Sequence, residues 1–352
     1  MWFYAREVGR MRAWTSARWL AMPLALAAFL LGASILVVLE PWSSRGGLDV
    51  SPRETWTSYS WDELSSISDV LAGCADEHEA YVLASRYGLC GADGTLDEGL
   101  RKEVALLDGT SAWVTLVGVA HDERPDGRHA GLTFALCGLS REHAMNLSFE
   151  DAEGDYADAV GGWAASEARA WLVDTLWYEL PADLRTEVVA VQKETAGSVD
   201  ATDELASTGQ LSGSAADWVT QTTDRLWLFS VAELCGSVPA RDDLGVDETM
   251  CGIYGAEGSQ YQLFAQVGAA AFAPCETLAH LGQAADDPKA RRTWWLRTKT
   301  LEFGDGFWLV GTDGTPLNGL GEDSRAADDP EYAPDELWGP DHARALVVGF
   351  CL

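Results

Sequence analysis

The chain has 352 residues, 47 % of them hydrophobic, with sixteen tryptophans and a formal net charge of −31 at pH 7. Apolar content of that order over that length buries a substantial core, which excludes intrinsic disorder. The negative charge repels phosphate backbones, so nucleic acid and anionic lipid are excluded as partners, leaving cations, basic surfaces or a plainly solvated acidic exterior.

In chain order, the first feature is Trp19 to Leu39, a run of 21 residues without a charge that ends at Glu40-Pro41. A helix rises about 1.5 Å per residue, so such a run spans a hydrocarbon core of roughly 30 Å. Arg6, Arg10, Arg12 and Arg18 precede it, and flanking Arg and Lys tend to stay cytoplasmic. The expectation is a tail over 1–17, a transmembrane signal-anchor over 18–40 and an extracellular bulk at the cell membrane. A cleaved signal peptide is the rival, although Ile35 to Glu40 offers no small-residue cleavage site. Residues 1–40 carry +2 from four Arg and two Glu, so a net −33 falls on residues 41–352.

Residues 41–55, with Pro41, Gly46, Gly47 and Pro52, read as a stalk, and 56–103 as a helical segment packed on a main domain over 104–352. Within it, Trp61 to Leu71 and Glu79 to Tyr87 show helical spacing, with Leu64, Ile67 and Leu71 on one face. Gly91 to Gly94 marks a turn. Val114 to Val119 and Gly131 to Leu136 read as strands joined through Arg124-Pro125-Asp126-Gly127. Ser166 to Leu180 predicts one helix with Ser166 as N-cap. The Ser-, Thr-, Gly- and Ala-rich stretch 195–221 reads as a long exposed loop. Leu226 to Phe229, Trp294 to Thr298, Phe307 to Val310 and Ala345 to Leu352 read as strands, Asp313-Gly314 as a turn, and 321–342 as an acidic insertion. Mixed short strands with a few helices point to an α+β fold.

The seven cysteines form no C-x-x-C and no zinc-like spacing with histidine. Sequence proximity suggests disulfides Cys74–Cys90 and Cys235–Cys251, and buried thiols are the equal alternative.

Several short motifs follow one another in a familiar order. They are Val117-Gly118-Val119-Ala120-His121-Asp122, Ala130-Gly131-Leu132-Thr133-Phe134 and His143-Ala144-Met145-Asn146, then Gly161 through Leu172 and Leu180-Pro181-Ala182-Asp183-Leu184. Thr222 to Leu228, Glu257-Gly258-Ser259-Gln260-Tyr261, Trp294-Trp295-Leu296-Arg297 and Gly349-Phe350-Cys351-Leu352 complete the set. Together, over roughly residues 104–352, they resemble the domain of unknown function 6273 of exported and phage-related bacterial proteins. The resemblance implies an α+β, C-type-lectin-like or sulfatase-modifying-factor-like fold of mixed short strands, here preceded by the N-terminal transmembrane helix. Such folds display ligands, and fold alone does not fix function. Where the family closes with a Val-Arg-Pro-like strand, this chain has Leu346-Val347-Val348, which puts any site relying on that Arg in question.

The candidate binding residues are His121, Asp122, Trp163, Glu167, Arg169, Trp295 and Arg297. His121-Asp122 at a strand end offers an imidazole and a carboxylate for proton transfer, against a structural hydrogen bond. No motif places a Ser or Cys nucleophile beside them. Trp163, Glu167 and Arg169 offer an aromatic and polar recognition surface, against tryptophans in the core and charges at helix ends. Trp295 and Arg297 share a strand face, where an Arg among aromatics anchors a buried ion pair, with Glu167 or Asp224 as partner. His121, His129 and His143 have no spacing that demands a metal. Asp305, Asp313 and the acidic residues of 322–336 offer oxygens for Ca²⁺ without an EF-hand pattern, against a solvated acidic loop. The reading that follows is a membrane-anchored surface module that binds a glycan, cell-wall component or protein without catalysis, anchored in the lipid bilayer through 18–40. A structural envelope component and an enzyme acting on surface polymers are the alternatives.

Overall fold

The computed structural model describes residues 49–146, 161–197, 214–301, 306–318 and 340–352. Ser60 opens helix α1 (Trp61–Leu71), its N–H donating to Glu63 Oε2 at 2.8 Å, so the first turn is closed by its own side chain. The face formed by Trp61, Leu64, Ile67 and Leu71 is buried, as the helical spacing predicts. Helix α2 (Glu77–Arg86) is capped by Asp76, whose carboxylate accepts the Glu79 N–H at 2.8 Å.

The first sheet holds five strands in the order β1 (Lys102–Ala105), β2 (Ser111–Val119), β3 (Leu132–Cys137), β12 (Val348–Cys351) and β7 (Trp227–Leu228). The C-terminal strand therefore sits inside the sheet, antiparallel to β3 and β7 with Phe350 opposite Phe134. Those rings stack at 5.3 Å between centroids, and Trp61 meets both edge-on. Strand β2 carries a bulge between Leu116 and Gly118, where one extra residue turns the strand end beneath His121. Gly349 has no room for a side chain: a Cβ would lie 2.4 Å from Cε2 of the buried Trp227.

The second sheet runs β10 (Pro316–Leu317), β9 (Phe307–Val310), β8 (Trp294–Lys299), β11 (Arg344–Ala345) and β4 (Glu142–His143). It is mixed, since β11 is parallel to β8 and antiparallel to β4. Strand β8 leaves register with β9 between Trp295 and Lys299, and there the Arg297 N–H donates to Phe229 O at 3.0 Å, joining the two sheets. A separate ribbon pairs β5 (Val191–Ala196) with β6 (Val219–Asp224) over all six residues.

Short helices connect these layers. They are α3 (Gly162–Ala165), α4 (Glu167–Trp171), α5 (Ala182–Glu187), α6 (Val231–Cys235), α7 (Glu248–Gly255), α8 (Gln262–Gln266) and α9 (Glu276–Leu281). The expected helix Ser166 to Leu180 is present as one continuous helical run, α4 followed by a π-helical turn at Leu172–Leu176 and a last turn at Trp177–Glu179. Ser166 does cap it, accepting the Arg169 N–H at 3.2 Å.

Two expectations need correction. The fold is α+β as expected, built of two five-stranded sheets and a two-stranded ribbon of mostly short strands, but the described residues hold no membrane helix before it. Among the described residues no helix is long and apolar enough to cross a membrane. A span needs about 20 apolar residues in one helix, whereas here the apolar residues are divided among short helices and strands that share a core. The anchor over 18–40, the tail over 1–17, most of the stalk and the insertion up to 339 lie outside the described residues. The expected loop 195–221 begins and ends in paired strand, while 198–213 lies outside the described residues.

Gly349→Ala is expected to lower the unfolding free energy by about 1–3 kcal/mol, as overpacking does. A denaturant titration beside the wild type measures it, and an unchanged midpoint would show that Trp227 yields.

Candidate functional site

A buried polar network lies where the two sheets and the ribbon meet. On β5 the side chains of Val191, Lys193 and Thr195 turn inward while Gln192 and Glu194 stay partly exposed, so the alternation of a strand carries a lysine into the interior. Lys193 is 3 % exposed. Its ammonium donates to Asp122 Oδ1, to Glu233 Oε1 at 2.8 Å and to the Tyr261 hydroxyl at 2.8 Å. It also sits 4.1 Å above the Trp227 ring, where the π face favours a cation. The Tyr261 hydroxyl in turn donates a hydrogen bond to Asp122, with oxygen–oxygen distances of 2.9 and 3.0 Å. Thr133 donates to Asp122 Oδ2 at 2.5 Å, and the Cys351 thiol lies 3.4 Å from the same oxygen.

Glu233 links this cation to a second one. It stands at the third position of α6, and its Oε2 accepts the Ser230 N–H at 3.0 Å while Ser230 Oγ accepts the Glu233 N–H at 3.1 Å. Arg297 Nη1 donates to the same Oε2 at 2.5 Å and to Leu228 O at 2.8 Å, and its Nε donates to Thr195 Oγ1 at 3.0 Å. Two cations thus face two carboxylates, each with further hydrogen bonds, which a buried charge requires. Burial alone would raise Asp122 and Glu233. Lys193 reverses this for Asp122, held well below the usual carboxylate range, and Arg297 with Lys193 does so for Glu233. Lys193 is pushed down by burial and more than restored by Asp122 and Glu233.

Glu257 is a third carboxylate without a cation of its own. Its Oε1 accepts the Ala196 N–H at 2.9 Å and its Oε2 accepts the Thr298 hydroxyl at 2.7 Å. Burial dominates Arg297's opposing pull here, and the group is pushed up to about 7.

Above the network opens a cleft of about 790 Å³. Its walls come from the end of α1, the start of α2, the Asp93–Thr95 turn, the end of β2 and the 259–266 stretch, with Tyr81, Asp93, His121, His129, Ser259 and Gln262 among the lining residues. His121 stacks on Tyr261 at 4.1 Å between centroids, and its Nε2 lies 3.0 Å from Ser259 Oγ. Gly118 permits this approach, since a Cβ there would come 3.0 Å from Tyr261 Cδ1 and 3.4 Å from His121 Cβ. The backbone is strained at Ala120, whose φ of 51° lies in the left-handed region that alanine avoids, while Gly258, at φ 137°, holds a conformation open to glycine without strain. His121 Nδ1 and Gln262 Oε1 are buried side-chain atoms without a hydrogen-bond partner.

The structure separates the residues singled out from sequence. His121 reaches the cleft, but Asp122 turns inward to Lys193, 3.7 Å from His121 Nδ1, an ion-pair distance rather than a hydrogen bond. Trp163 and Arg169 belong to another cluster, where Trp163 Nε1 at 3.2 Å, Arg169 Nε at 2.8 Å and Thr222 Oγ1 at 2.6 Å all donate to the buried Asp224. The Glu167 N–H donates to Asn146 Oδ1 at 2.9 Å, away from the cleft-lining residues. Trp163 and Trp295 are fully buried, so neither presents a face to a ligand. Trp295 Nε1 donates to His342 O at 3.2 Å. Arg297 does anchor a buried ion pair, with Glu233 in place of Glu167 or Asp224. All seven cysteines are thiols, so the pairings Cys74–Cys90 and Cys235–Cys251 are not made. Cys74 turns its thiol to Val70 O and Cys90 to Tyr81 O, and burial pushes Cys90 up to about 11. Among the described residues no three His, Cys, Asp or Glu side chains gather to hold a metal ion. His143 stacks on Trp171 instead, and Asp313 accepts the Thr315 N–H within its turn. Asp305 and the acidic residues of 322–336 lie outside the described residues.

Lys193 and Glu233 were not singled out from sequence, and Glu257, Ser259 and Tyr261 entered only through the motif Glu257 to Tyr261, with no site role given to them. Ser230-Val231-Ala232-Glu233 is a capping-box pattern and locates Glu233 at a helix start. Val191-Gln192-Lys193-Glu194-Thr195 alternates, yet a lysine on the inner face hides the alternation from a hydrophobicity reading. Nothing local brings Ser259 to His121, which is 138 positions earlier.

Lys193→Met is expected to cost about 3–5 kcal/mol of stability, because it leaves buried carboxylates uncompensated. Chemical denaturation measures it, and a loss below 1 kcal/mol would show that the cavity hydrates freely. Glu257 predicts a pH dependence. Its folded pKa is above the unfolded one, so its stabilising contribution is complete at acid pH and is lost as pH rises towards 7. Relative to Glu257→Gln, the wild type should therefore lose on the order of 3 kcal/mol between pH 4.5 and 8. Parallel denaturation curves across that range check this, and a constant difference would contradict it.

Residues 140–324 match the family described as Domain of unknown function (DUF6273). No curated protein and no solved structure matches the chain. The matched stretch contributes Lys193, Glu233, Ser259, Tyr261 and Arg297, while His121, Asp122 and the α1–α2 wall of the cleft precede it. The match covers more than half of the chain, which therefore belongs to this family of domains of unknown function.

Proposed function

We propose that the chain is a recognition module acting outside the cell, which takes part of a glycan, cell-wall fragment or protein ligand into the cleft. The cleft itself carries this reading. It is large enough for several sugar rings or side chains, it is walled by the Tyr81 ring and polar groups, and it leaves Gln262 Oε1 with unmet hydrogen-bonding capacity. Buried polar atoms are nearly always paired, so an unpaired one at a cleft favours a polar ligand. Carboxylates at Asp76, Glu77 and Asp93 on its wall favour neutral or cationic ligands over anions. The fixed network beneath keeps the floor from rearranging, which limits the ordering cost of binding. The extracellular setting draws on the family's exported members.

The full chain is expected to be retained by one class among immobilised glycans, peptidoglycan fragments and matrix proteins. Tyr81→Ala should weaken that retention about tenfold, the effect of one aromatic contact of about 1.4 kcal/mol. Repeating the screen with calcium and with a chelator assigns any Ca²⁺ requirement. Absence of retention on every surface, or retention untouched by Tyr81→Ala, would refute the cleft as the binding site.

A further inference from the structure

We propose that the same cleft hydrolyses a carboxylic ester, with Ser259 as nucleophile and His121 as its general base. This deepens the recognition reading and rests on the cleft admitting a ligand.

The geometry supplies the parts such a reaction needs. Ser259 is exposed on the cleft wall and its Oγ lies 3.0 Å from His121 Nε2, the distance at which an imidazole takes a hydroxyl proton. Accepting that proton requires the tautomer with hydrogen on Nδ1. The ionised Asp122 carboxylate, 3.7 Å from Nδ1, favours that tautomer and the imidazolium formed after transfer. Asp122 is a positioning residue in this scheme, fixed by Lys193, Tyr261 and Thr133. The imidazole is held by the stack on Tyr261. Strain at Ala120 falls on the residue immediately before the base, where departures from relaxed backbone cluster at working sites. Among the described residues, the peptide N–H groups of Ser259 and Gln260 donate to no protein acceptor, which leaves two donors for an oxyanion beside the hydroxyl.

The step balances with water as the only co-reactant. Ser259 Oγ forms a bond to the ester carbonyl carbon as its proton passes to His121 Nε2. The tetrahedral intermediate expels the alcohol, which takes that proton from His121. Water then gives a proton to His121 Nε2 and its oxygen attacks the acyl carbon, after which the acyl–Oγ bond breaks and the serine oxygen recovers the proton. Ester and water become acid and alcohol. The acidic cleft wall selects esters whose acyl and alcohol parts are neutral or cationic.

The test is labelling of the full chain with a biotinylated fluorophosphonate, which phosphonylates activated serines, followed by mass spectrometry of the modified peptide. A single adduct on Ser259 is expected, absent from Ser259→Ala and formed at least about 100-fold more slowly in His121→Gln, which keeps a hydrogen bond to the hydroxyl but removes the base. Thermal melts confirm that each variant folds. An unlabelled wild type, an adduct elsewhere, or labelling of Ser259 at the wild-type rate in His121→Gln would overturn the proposal. Ligand retention is measured on the same samples. Retention without labelling refutes the catalytic pair alone, and labelling without retention refutes the recognition reading alone.

Discussion

The fold depends on the ammonium of Lys193 being enclosed. An isolated cation taken out of water costs several kcal/mol even after relaxation, so every group that compensates it must arrive together. Asp122 comes from the end of β2, Glu233 from the start of α6 and Tyr261 from just before α8, and each contacts Nζ. Arg297 on the bulged part of β8 then shares Glu233, and its backbone and side chain tie that strand to Phe229, Leu228 and the ribbon. Replacing such a network by apolar side chains is often neutral for stability. Its contribution here is geometric: one arrangement of two sheets and a ribbon satisfies all four charges, and a one-residue slip of β5 would bring Gln192 or Glu194 to the cation's place.

The site inherits its rigidity from that enclosure. Tyr261 belongs to both levels, since its hydroxyl is committed to Lys193 and Asp122 below while its ring supports His121 above. A left-handed alanine at Ala120 is tolerated because its N–H is held by Gly131 O at 2.9 Å and Asp122, two residues on, is fixed by several hydrogen bonds. The bulge in β2 and the absence of a Cβ at Gly118 bring the imidazole down onto the tyrosine. Rigid floor, a strained shoulder and polar rim are what a recognition cleft and a nucleophilic site have in common. The two proposals therefore share one anatomy.

The cleft also shows how family and chain divide the work. The stretch that matches the family supplies the cation, Ser259 and the supporting tyrosine, whereas α1, α2 and the end of β2 supply the opposite wall and the histidine. Differences in the N-terminal helices would change what the cleft admits while leaving the buried charges in place.

By itself the sequence determined what is periodic and local. The buried stripe of α1, the strand at Phe307–Val310, the N-cap at Ser166 and the acidic surface follow from spacing and composition, because each is set by neighbours within a few residues. The order of short motifs also determined membership of the family. Tertiary structure decided the rest. It placed the C-terminal strand between β3 and β7, buried Trp163 and Trp295 that composition left open to a ligand, and turned Asp122 away from its chain neighbour His121 towards Lys193. It also gave Arg297 to Glu233 and brought Ser259 to His121. These pairings join residues tens to more than a hundred positions apart, and they are chosen by which charges must be neutralised when water is removed. No local pattern encodes that choice, since it exists only once the sheets and the ribbon have closed around the same lysine.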